Sequence, residues 1–245
     1  MIVDSMTHTE VYWELEKDID DVGMWWIGKR KMLTNIAKWT TKLPRTTWYE
    51  YESTRKNRYL VISIITGHNY DDSSLTGVVA LRKMGKGYAV YVSRLPWHRV
   101  VSPHVFLPHM FDQYANPERG NVPKTGIDLI KHFMEHNNYG EISKGDKFSG
   151  RSVRYKGRDN LCKSVHDGVL LGEVVDGIFV VHTFITYEMA TGLQREEFEK
   201  NWGMIITNEG LINQRNDDWK EEARMMREEV IAQVMREKNN KLINV

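Results

Sequence analysis

The run Tyr59-Leu60-Val61-Ile62-Ser63-Ile64-Ile65-Thr66 decides the fold. Apolar, β-branched residues fill it, and the polar stretch Gly67 to Ser74 closes it, which predicts a buried strand followed by a turn. Upstream, Trp48 to Glu52 alternates aromatic and polar residues. Downstream, Gly77 to Lys83 and Tyr88 to Ser93 flank Met84-Gly85-Lys86-Gly87, a hairpin sequence. Every connection among these four segments is short. Short connections join antiparallel neighbours, so the region is predicted to be a four-stranded meander.

Helices are predicted on either side of it. From Glu10 to Lys42, apolar residues recur at Trp25, Trp26, Leu33, Ile36 and Trp39, close to helical spacing, and Pro44 ends the region. After the meander come a short helix over Val105 to Tyr114 and a clearer one over Thr125 to His136. In the latter, Thr125 or Gly126 serves as cap, and Ile127, Ile130, Phe133 and Met134 make one apolar face. A second β group follows. Ser152 to Arg158 and Leu161 to Val165 flank Gly157 to Asn160, and Gly168 to Val174 and Ile178 to Ile185 flank the turn Val175-Asp176-Gly177. Tyr187 to Trp202 reads as a helix. A long one then runs from Asn216 or Asp217 to about Lys241, with Trp219, Ala223, Met226, Val230 and Val234 on one face.

The resulting class is α+β, mainly antiparallel sheet with packed helices and a long C-terminal helix. Residues 1–100 hold the N-terminal helical segment and the meander. Residues 101–245 hold a helix-sheet-helix portion, as a second domain or as the continuation of one domain.

The chain has 245 residues, 27% of them charged and 41% hydrophobic, an ordinary balance for a folded protein that argues against general disorder. Its net charge of +1 points to no partner by itself. The distribution says more, because Lys29, Arg30, Lys31, Lys38, Arg45, Arg55, Lys56 and Arg58 interleave with Trp25, Trp39, Trp48 and Tyr51. Cations neutralise phosphates and aromatic faces stack on unpaired bases, so these eight are candidate contacts to RNA or another single-stranded nucleic acid. The competing reading makes the aromatics core and the cations a solvated helix face. The single cysteine, Cys162, excludes an intrachain disulfide. No secretory signal or membrane-spanning run is read, so the expected setting is the cytoplasm or the inside of a phage particle. No metal-ligand motif accompanies His98, His104 and His109, and neither metal nor cofactor is expected. The C-terminal stripe would serve packing on the body or a homo-oligomer.

Candidate chemistry lies between Ser102 and Gln194. Pro108-His109-Met110-Phe111-Asp112-Gln113-Tyr114 is followed by Arg119. His166-Asp167-Gly168 is followed by a strand pair carrying His182. Alternation places His182, Phe184 and Thr186 on one strand face. Histidine exchanges protons near neutral pH, tyrosine can orient a phosphate, and arginine can hold one through two hydrogen bonds. Cleaving RNA through its own 2′-hydroxyl needs a base, an acid and a cation for the developing charge, and no metal. His109, Tyr114, Arg119 and His182 are the candidate catalytic residues.

The pattern His109-x-Phe111-Asp112-x-Tyr114…Arg119, the helix after it, Gly168-x-x-x-Gly172 and Thr183-Phe184-Ile185-Thr186 together resemble uncharacterised proteins of Bacteroidetes and their phages. Their layout is similar to the barnase, EndoU, colicin and RelE-like superfamily of metal-independent ribonucleases, in which a helix precedes a small antiparallel sheet. The resemblance covers about residues 102 to 195. It implies a ribonuclease or toxin-like protein acting on RNA. The chain departs from it at Asn116-Pro117, which lengthens the gap before Arg119, and in lacking a Lys- or Glu-based catalytic signature. The alternative is a non-catalytic phage or mobile-element accessory or structural protein that binds protein or nucleic acid.

Overall fold

The computed structural model describes residues 1–71, 73–93, 104–137, 142–144 and 160–189. The expected strand over Ser152 to Arg158 and the long C-terminal helix, with any oligomer it forms, lie outside them.

The N-terminal helical region is two helices. α1, His8–Glu16, begins with a capping box in which Thr7 and Glu10 satisfy each other's backbone donors. α2 spans Ile19–Trp39. The break falls at Asp18, whose carboxylate is buried. Its Oδ2 accepts from Ser53 (2.7 Å), Asn57 (2.7 Å) and Tyr59 (2.8 Å), which ties the helix junction to the first β-turn. Satisfying that carboxylate takes precedence over helix continuity, because a buried charge without donors is costly.

The meander forms as expected from β1 (Arg45–Glu52), β2 (Arg58–Ile65), β3 (Ser74–Met84) and β4 (Gly87–Ser93), all antiparallel. β5 (His104–Phe106) corrects the helix expected from Val105. These residues pair with β4 and, in parallel, with Phe179–Val181, so α3 starts only at Pro108 and runs to Ala115. α4 is Gly126–His136 with Thr125 at its N-cap position, although no hydroxyl bond is made there. β6 (Ile142–Lys144), β7 (Asn160–Val165), β8 (Gly168–Val175) and β9 (Ile178–Ile185) complete one sheet in the order β1-β2-β3-β4-β5-β9-β8-β7-β6. The β8–β9 turn is Asp176-Gly177 with both φ positive (51° and 79°), the left-handed pair a tight hairpin requires. Tyr187–Met189 forms a 3₁₀ turn at the start of the expected helix.

Helices cover both faces of the sheet. On one, Tyr59, Val61, Val78, Ala80, Tyr91, Val105 and Val180 pack with Val11, Leu15, Trp26 and Leu33 of α1 and α2. On the other, Leu60, Val79, Val90, Phe106, Phe179 and Val181 pack with Met110, Phe111, Leu129 and Phe133 of α3 and α4. This two-sided burial explains why β2 reads as a continuous apolar run. Alternation fails once, in β9. Leu171 and Gly172 are consecutive, yet they oppose Thr183 and Val181, which leaves His182 as the extra residue of a bulge. Phe184 therefore packs on the α3/α4 face beside Val181, not on the face of His182 as strict alternation predicts.

Candidate acid–base site

At the α3/α4 side of β7 and β8, one carboxylate organises two imidazoles. Tyr114 comes from the buried face of α3, its ring edge-on to Phe133 and Phe184 at 5.1 Å each. Its hydroxyl donates to Asp167 Oδ2 at 2.5 Å. Asp167 sits in the two-residue turn His166–Asp167 between β7 and β8. Asn137, the C-cap of α4, fixes that turn. Its Oδ1 accepts from the Asp167 N–H (3.0 Å) and its Nδ2 donates to Asp167 Oδ2 (2.9 Å).

The histidines attach at either end. His166 Nδ1 lies 2.8 Å from Asp167 Oδ1, and His132 Nδ1, on α4, lies 3.2 Å from the Tyr114 oxygen. Because the Tyr114 proton is committed to the carboxylate, His132 Nδ1–H is the donor and its Nε2 carries the lone pair. The network assigns this tautomer. Likewise Asp167 orients His166 with Nδ1–H inward. His136 stacks on His132 at 4.1 Å and 14°.

The electrostatics follow from this geometry. Burial, then the bond to Asp167, pushes the Tyr114 hydroxyl well above its ordinary value, so it stays protonated. Burial would push Asp167 up as well, but the bonds from Tyr114, His166 and Asn137 outweigh it and hold the carboxyl below its ordinary range. Burial, then the neighbouring His136 and Lys124, lowers His132 and favours its neutral, proton-accepting form. Arg119 donates from Nη1 to Phe184 O at 3.3 Å. Its loop turns back tightly enough that a Cβ on Gly120 would fall 2.0 Å from Tyr114 O, so glycine holds that position. Among the described residues, no three His, Cys, Asp or Glu side chains are grouped to hold a metal ion.

Of the four candidate catalytic residues, Tyr114 belongs to this network, and Arg119 reaches the carbonyl of Phe184, whose ring packs on Tyr114. His109 is exposed at the start of α3. His182 bonds Glu173 Oε1 at 3.0 Å and lies near His8, whose ring bonds Tyr91 on the α1/α2 face. The sheet separates His182 from α3, so His109 and His182 form no acid–base pair. His132 and Asn137 were not singled out by sequence as partners of Tyr114. The available signal was that Asn137 continues the buried Ile130, Phe133 and Met134 face at helical spacing.

Of the eight candidate nucleic-acid cations, four are matched by carboxylates. Arg30 bonds Asp71 through two nitrogens (3.0 and 2.7 Å), Arg55 bonds Glu14, Lys56 bonds Glu52, and Arg58 lies 3.6 Å from Glu50. Lys29 lies over Trp25 and Lys38 over Trp39. No described helix is long and apolar enough to cross a membrane.

A buried aromatic floor, a carboxylate-anchored phenol and two oriented imidazoles make a candidate acid–base site on an α+β protein with a mostly antiparallel sheet. Comparison with family models, curated proteins and solved structures finds no match to the chain.

Proposed function

We propose that the protein is a metal-independent ribonuclease whose acid–base pair is His132 and His166. One observation carries the reading. The chain His132–Tyr114–Asp167–His166, with links of 3.2, 2.5 and 2.8 Å, orients an imidazole at each end of one carboxylate–phenol unit. Such a unit suits a reaction in which one proton leaves a nucleophile as another reaches a leaving group. His132 Nε2 takes the proton of the ribose 2′-hydroxyl, and the 2′-oxygen bonds to phosphorus. The P–O5′ bond breaks, and protonated His166 delivers its Nε2 proton to the departing 5′-oxygen. The products are a 2′,3′-cyclic phosphate and a 5′-hydroxyl, and no co-reactant is consumed. Arg119 supplies positive charge for the phosphorane oxygens. Between Asn137 and Asn160 the sequence carries Lys144, Lys147, Arg151, Arg154, Lys156 and Arg158 against Glu141, Asp146 and Asp159, a balance that favours a polyanionic substrate.

The test is cleavage of mixed single-stranded RNA in EDTA by the wild type and by His132→Ala and His166→Ala. Circular dichroism confirms that each variant folds. Each substitution is expected to lower the rate by about 100-fold or more. Equal rates in all three proteins would remove these two residues from the mechanism.

A further inference from the structure

The outward face of α2 carries a second site, independent of the cleavage reading. Val22, Gly23, Trp26, Leu33 and Ala37 turn inward. On the opposite side of the helix, Gly28, Lys31, Met32, Asn35 and Trp39 line an open groove together with the half-buried Ile36 and with Arg45 of β1. Trp39 is 75% exposed and Met32 39%, so the groove combines an exposed indole with an apolar floor. A Cβ on Gly28 would meet nothing within 4 Å, so the lack of a side chain there leaves the groove open.

Its charge is one-sided. Lys31 and Arg45 both line it, and among the described residues no carboxylate does. Arg45 reaches the Thr40 hydroxyl at 3.4 Å, and Lys38 stands 5.3 Å from the Trp39 ring centre. The contrast with Arg30, Arg55, Lys56 and Arg58 is informative, because those four face acids of this chain. The groove therefore fits an anionic ligand with planar, apolar parts. An exposed indole between cations is the arrangement that stacks an unpaired base while neutralising its phosphates.

We propose that this groove binds single-stranded nucleic acid, with a base stacked on Trp39 and the adjoining phosphates on Lys31 and Arg45. The two phosphate contacts bind by ion release and the stacked base adds a salt-insensitive part, so affinity falls with salt without vanishing. Binding and cleavage occupy opposite faces of the sheet, and each can fail without the other.

The experiment is titration of the full chain with a fluorescein-labelled deoxythymidine 12-mer, read by anisotropy and by tryptophan fluorescence. DNA lacks the 2′-hydroxyl, so the cleavage chemistry cannot interfere. The wild type should bind at low salt with quenching of its tryptophan emission. Trp39→Ala should weaken binding about tenfold or more, and Lys31→Glu with Arg45→Glu should reduce the log–log salt slope by roughly 1.4. Gly28→Met should weaken binding as much as Trp39→Ala while leaving the melting temperature no lower, because methionine is the better helix former. His132→Ala should bind as the wild type does. Absence of binding at low salt, or binding that all three groove variants leave unchanged, overturns the proposal. Trp39-dependent binding to phosphatidylserine vesicles with none to the oligonucleotide would overturn it in favour of a membrane surface.

Discussion

Replacing Tyr114 by phenylalanine removes one oxygen from the centre of the acid–base network and leaves the ring's contacts with Phe133 and Phe184 in place. The lost group donates to an ionised carboxylate at 2.5 Å and accepts from His132. A hydrogen bond to a charged partner contributes about 1.5–3 kcal/mol, so the variant should lose that much stability at pH 7. For a chain of this length, the melting temperature should fall by about 3–12 °C. The pH dependence is the sharper criterion. Asp167 has its folded pKa below the ordinary value, with Tyr114 among the causes. Its contribution is complete above the unfolded carboxylate pKa and is lost as pH falls through the folded one. The gap between wild type and variant should therefore narrow as pH drops from 7 through the carboxylate range. Urea denaturation at several pH values measures it. A gap that stays constant from pH 7 to pH 3 would refute an ionised Asp167 held by Tyr114.

Other substitutions probe other parts of the account. Asp18→Ala leaves the donors of Ser53, Asn57 and Tyr59 without their buried acceptor and should cost about 3–5 kcal/mol in chemical denaturation, whereas an exposed acid such as Asp20 should cost little. Gly177→Ala forces a side chain to φ +79° and should destabilise by about 1–2 kcal/mol, while Gly28→Ala, in a regular helix with open space around it, should stabilise by up to about 1 kcal/mol. Thermal melts of that pair separate backbone strain from helix propensity. In an NMR titration, His132 should ionise below its ordinary pKa, and His136→Ala should move it upward by removing one of the lowering neighbours.

Much of the fold was legible because its contacts are local. β1 to β4 are joined by short turns, and both Met84-Gly85-Lys86-Gly87 and Val175-Asp176-Gly177 carry their turn chemistry in the sequence. β5 was missed for the opposite reason. It is three residues long, and its parallel partner Phe179–Val181 lies more than seventy positions away, so no short-range pattern announces it. The bulge at His182 was equally invisible, since alternation in β9 looks unbroken until its register with β8 is known. The two-helix N-terminus hid behind a near-continuous helical period because the break depends on what Asp18 meets in the first β-turn.

The site divides the same way. Tyr114 and the His166-Asp167 pair stood out as acid–base residue types and Arg119 as a phosphate holder, and the structure places Tyr114 and Asp167 in direct contact. Which histidines join them depends on α4 packing beside α3 and on which sheet face each strand residue takes. Those are long-range facts. His132 meets the Tyr114 hydroxyl across 18 positions of sequence and Asn137 meets Asp167 across 30, whereas His182 is turned to the other face of the sheet.

Incubation with RNA and DNA of identical single-stranded sequence in EDTA tests the central claim most directly. The account predicts cleavage of the RNA to cyclic-phosphate and 5′-hydroxyl ends, with the DNA left intact. Intact RNA, or equal cleavage of both polymers, would contradict it.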